Sequence, residues 1–94
     1  MEELLKVFLR TREVLSRPKN DFVWSGWKDA HEALEAVDCI IAELRAGKLP
    51  HKGDMVVLFL ATGPIQEVAL CSGWGDEFLM LSADFDDALD RALK

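Results

Sequence analysis

Met55-Val-Val-Leu-Phe-Leu60, Ala61-Thr-Gly-Pro64 and Ile65-Gln-Glu-Val-Ala-Leu-Cys71 follow one another without a break in the chain. The first segment is wholly apolar with adjacent valines, a length and composition that fit a buried strand. The third has strand length as well, and the short connection between them carries Gly63 and Pro64, so an antiparallel hairpin is the natural pairing. Two strands alone are marginal in water, and helices must cover one face of them. The expected fold class is therefore α+β. The expected order is α-α-β-β-α in a single domain over residues 1–94, with helices packed on an antiparallel hairpin.

Upstream of the hairpin the apolar residues recur at a helical spacing near 3.6. Leu4, Leu5, Phe8 and Leu15, with Val7 and Val14, place a helix over residues 2–16. Arg17-Pro18 closes it, because the residue before proline is pushed out of the helical region. A second helix is expected over residues 26–46, where Trp27, Ala30, Leu34, Val37, Ile41 and Leu44 alternate steps of three and four. Ser25 is its expected N-cap, and Arg45 with Gly47 suit its end.

Downstream, Phe78, Leu81, Phe85, Ala88 and Ala92 share one helical face, which predicts a helix over 76–92 capped by Asp76. A competing reading starts a shorter helix at Ser82 and leaves residues 77–82 for a third strand. Ser25-Gly-Trp-Lys-Asp29 and Ser72-Gly-Trp-Gly-Asp76 share the pattern S-G-W-x-D, read here as two similar turns before helices.

Half of the residues are hydrophobic and 30% are charged, the balance of a chain that folds. The net charge of −6 repels phosphate backbones, so no nucleic-acid partner is expected. Only residues 1–20, where Lys6, Arg10, Arg12, Arg17 and Lys19 outnumber Glu2, Glu3 and Glu13, lean basic. The charged, amphipathic N-terminal stretch does not resemble a secretory leader, and no apolar run is read as a bilayer span, so no membrane partner is expected. Cys39 and Cys71 sit in no metal or redox motif and point to free thiols in a reducing, cytoplasmic setting, with Cys71 a small buried side chain.

Candidate chemistry is sparse. His31, Glu35 and Asp38 share a helical face, but without a companion ligand they predict no metal site. A Cys71 and His51 pairing is conceivable across the ends of the hairpin, yet lacks an orienting third group. Asp84, Asp86, Asp87 and Asp90 read as a solvated face, and Ala61-Thr-Gly-Pro64 has too few glycines for a phosphate loop. No catalytic residue, cofactor or metal is expected.

The aromatics are more informative. Phe22 and Trp24 lie in a connection, Trp27 begins the second helix, and Trp74 stands between two glycines. Large loop aromatics either plug a core end or form a contact surface. Phe22, Trp24, Trp27, Trp74 and Asp76 are thus the candidate binding residues, although chain direction in the hairpin fold puts the two tryptophan loops at opposite ends. The function expected is a small acidic non-catalytic domain for protein interaction or regulation. The alternative is a small-molecule or peptide binding module built on the aromatic loops. A protein partner is expected, as is a homodimer formed through the uncharged strand edge or the apolar helical faces.

Overall fold

The computed structural model describes residues 1–60 and 63–94. The amphipathic N-terminal run forms α1 (Glu2–Leu15), with Leu4, Val7, Phe8, Val14 and Leu15 turned into the core. The same face buries Thr11, whose hydroxyl is satisfied by donating to the Val7 carbonyl at 2.8 Å. Next come α2 (Ala30–Arg45), the short α3 (Lys52–Val56), a 3-10 turn (Val57–Phe59), α4 (Pro64–Ser72) and α5 (Gly75–Leu93).

The described residues contain no strand, which overturns the α+β assignment and the hairpin. The proposed turn at Ala61-Thr62 lies outside the described residues. In the supposed first strand the buried residues are Met55, Leu58 and Phe59, spaced by three and one, so the uncharged run winds its apolar surface helically. A continuous apolar run of this length carries no period of its own, and so cannot separate a strand from a buried helical segment. The supposed second strand buries Ile65, Val68 and Ala69, again a helical face. Pro64 opens that helix at its first turn and Gly73 closes it with a left-handed φ of +83°, while the Trp74 N–H reaches back to the Ala69 carbonyl at 3.0 Å. Lys52–Ser72 is long and apolar enough to cross a bilayer by composition. Here, however, Leu60 turns extended between two helical stretches, and Met55, Leu58 and Phe59 of the first and Ile65, Val68 and Ala69 of the second feed the core.

The third-strand option also fails: α5 is one continuous helix from Gly75, with Phe78, Leu81, Phe85, Ala88 and Leu89 buried. Asp76 lies inside its first turn, where a carboxylate complements the helix dipole, and is not its cap. Likewise α2 starts four residues later than the stripe implied. Asp29, not Ser25, caps it, accepting from the Glu32 N–H at 3.1 Å, and the Glu32 carboxylate accepts from the Lys28 N–H at 3.2 Å. Ser25 is occupied within its own loop, donating to the Phe22 carbonyl and accepting from the Trp27 N–H.

α1 lies between α2 and α5, and α4 packs on α5. Four phenylalanines from three elements meet at the centre. Phe59 of the 3-10 turn stacks on Phe85 with centroids 4.3 Å apart, and Phe8 meets both edge-on at 5.7 and 5.9 Å. Phe78 completes the group. The long helices are aligned by charge: Glu3 pairs with Arg91 at 2.8 Å, Arg10 with Asp84 at 2.7 Å and Arg17 with Glu77 at 2.9 Å. Glu3 and Arg10 are one heptad apart on α1, and Arg91 and Asp84 one heptad apart on α5 in the opposite direction, so the two helices run antiparallel; Arg17, just past the end of α1, keeps the same step. Exposed pairs add little stability, but three in phase specify one alignment. With the strand edge gone, the ground for an edge-paired homodimer goes too.

Candidate functional site

The aromatic residues divide into plugs and one projecting side chain. Trp74 is only 5% exposed, and its indole Nε1–H donates to Asn20 Oδ1 at 2.8 Å. Asn20 in turn donates to the Val14 carbonyl at 2.7 Å, and the Asp21 N–H donates to Ser72 Oγ at 2.9 Å. The connection after α1 is thereby tied to the turn between α4 and α5, so the two tryptophan loops are not held at opposite ends. Phe22 and Trp27 are half-buried against the core. Trp24 is 73% exposed beside an equally exposed Val23. In the S-G-W-x-D echo, Gly26 and Gly73 share the left-handed conformation, but only Asp29 goes on to cap a helix.

His31, Glu35 and Asp38 lie together on one face of α2, beside Arg12 and Cys39. Asp38 is engaged by Arg12 at 2.7 Å, which raises the affinity of that guanidinium for its proton through the hydrogen bond and the carboxylate charge. Among the described residues the carboxylate nearest His31 as an ion-pair partner is Glu35, at 3.6 Å, and that of His51 is Asp54, at 4.0 Å, each within its own chain segment. Among the described residues no three His, Cys, Asp or Glu side chains converge as metal ligands. Both cysteines are exposed, which for Cys71 overturns the expected burial.

A different surface stands out. Between α1 and α5 runs a groove of about 400 Å³, floored by Val14 and Leu81 and walled by Leu9 and Met80. Arg10–Asp84 bridges the two helices, Arg17–Glu77 ties the residue just past the end of α1 to α5, and Arg17 also reaches Glu13 at 3.4 Å. The hydrogen bond from Arg17, helped by its charge and that of Arg10, holds the Glu77 carboxyl below the usual carboxylate range. Met80 and its neighbour Leu79 are 62% and 65% exposed, as is Leu70 at the end of α4. A Cβ on Gly75 would sit 3.4 Å from Leu70, and Gly75 is one helical turn before Leu79. Leu70, Leu79, Met80 and Leu9 therefore form an apolar band that crosses α5 from α4 to α1.

No family model, curated protein or solved structure matches this chain. The surface has to be read from its own chemistry. Sequence reasoning missed the band, although a signal was present. Phe78-Leu79-Met80-Leu81 is a run of four apolar residues inside a helix, and a helix that turns 100° per residue cannot point all four inward. Phe78 and Leu81 took the core, which left Leu79 and Met80 outside.

Proposed function

We propose that this chain is a non-catalytic protein-interaction domain whose docking surface is the apolar band across α5 and the groove beside it. The observation that carries this reading is Met80, 62% exposed on the wall of a groove with an apolar floor, with Leu79 next to it in the chain at 65%. Scattered exposed leucines are ordinary, whereas a connected band opening into a cleft is the form of a contact site. Helices that line such grooves accept amphipathic segments by burying a few apolar anchors.

The test is a photo-crosslinking side chain placed at position 80 in the native host, with one at Ala46 beyond the end of α2 as control. The expected result is a discrete protein adduct from position 80 only. The adduct partner, purified, should bind the whole chain saturably and lose that binding in Leu79→Ser/Met80→Ser. Equal labelling from both positions, or binding indifferent to the double substitution, would overturn the assignment.

A further inference from the structure

We draw no further inference here: the strongest candidate, the apolar groove between α1 and α5 walled by Leu9 and Met80, has its charged lining of Arg10, Glu13 and Glu77 already ion-paired, and nothing in the structure shows what covers it.

Discussion

Trp74 and Asn20 are joined by a 2.8 Å hydrogen bond that fastens the loop after α1 to the turn before α5. The bond satisfies the indole N–H of a side chain that is almost fully buried, and losing one partner strands the other. Trp74→Phe should cost on the order of 1–3 kcal/mol. Asn20→Ala should cost more than the shared bond alone, since it also removes the donor to the Val14 carbonyl. Urea denaturation of both single variants and the double one gives the coupling, and additivity within about 0.3 kcal/mol would show that the bond does not form in solution.

The bridge from Arg17 to Glu77 makes stability depend on acid. Glu77 holds its proton less readily folded than unfolded, mainly because Arg17 hydrogen-bonds its carboxylate. The stabilisation is therefore complete above the ordinary glutamate range and is lost as pH falls through the lower, folded value. The urea midpoint gap between the parent chain and Glu77→Gln should be constant near neutrality and close in acid. A gap that widens on acidification would contradict the sign.

Two glycines should respond to alanine in opposite directions. A Cβ on Gly63 would lie 2.7 Å from the Val57 carbonyl oxygen and 3.1 Å from that of Leu60, which are backbone atoms that cannot swing aside. Gly63→Ala should destabilise by about 1–3 kcal/mol, the usual cost of forcing extra volume into a packed site. In Gly53→Ala the neighbour is the exposed His51 ring, free to move, and position 53 is helical. That variant should gain about 0.4–1 kcal/mol by restricting the unfolded chain. Thermal melts of the pair check both signs.

Core truncations should rank by burial. Phe85, at the centre of the phenylalanine group, should lose about 3–5 kcal/mol on replacement by alanine. On α2, Val37 is fully buried whereas Leu34 is only partly so. Leu34→Ala should therefore fall below the roughly 2–5 kcal/mol typical of a buried leucine, and a loss in that range would place it in the core.

The chain's helical pattern was readable where polar residues interrupt apolar ones, and unreadable where they do not. Leu4 to Leu15 and Phe78 to Ala92 show their period because charges fill the outer faces. Met55 to Leu60 has no outer charge to mark a face, and β-branched Val56 and Val57 favoured the wrong state. For α4 the punctuation was present, since Pro64 and Gly73 bracket a helix. Asp29-x-x-Glu32 likewise marked the true start of α2. The heptad spacing of Glu3, Arg10 and Arg17, and of Glu77, Asp84 and Arg91, is also in the sequence. What sequence lacked was the knowledge that the first helix meets the last, because only tertiary packing turns two spacings into one register. The run Phe78 to Leu81 marked one part of the proposed docking band, but its extent was hidden for the same reason: its members come from α1, α4 and α5.

Glu3 meeting Arg91 brings the two ends of the chain to the same side of the helix pair. A polypeptide that enters and leaves at one point can be spliced into a surface loop of a larger host without prying the host apart. By the same geometry, a brief peptide joining Lys94 to Met1 would close the backbone into a ring, and new termini could be cut between α2 and α3 with the antiparallel helices left whole.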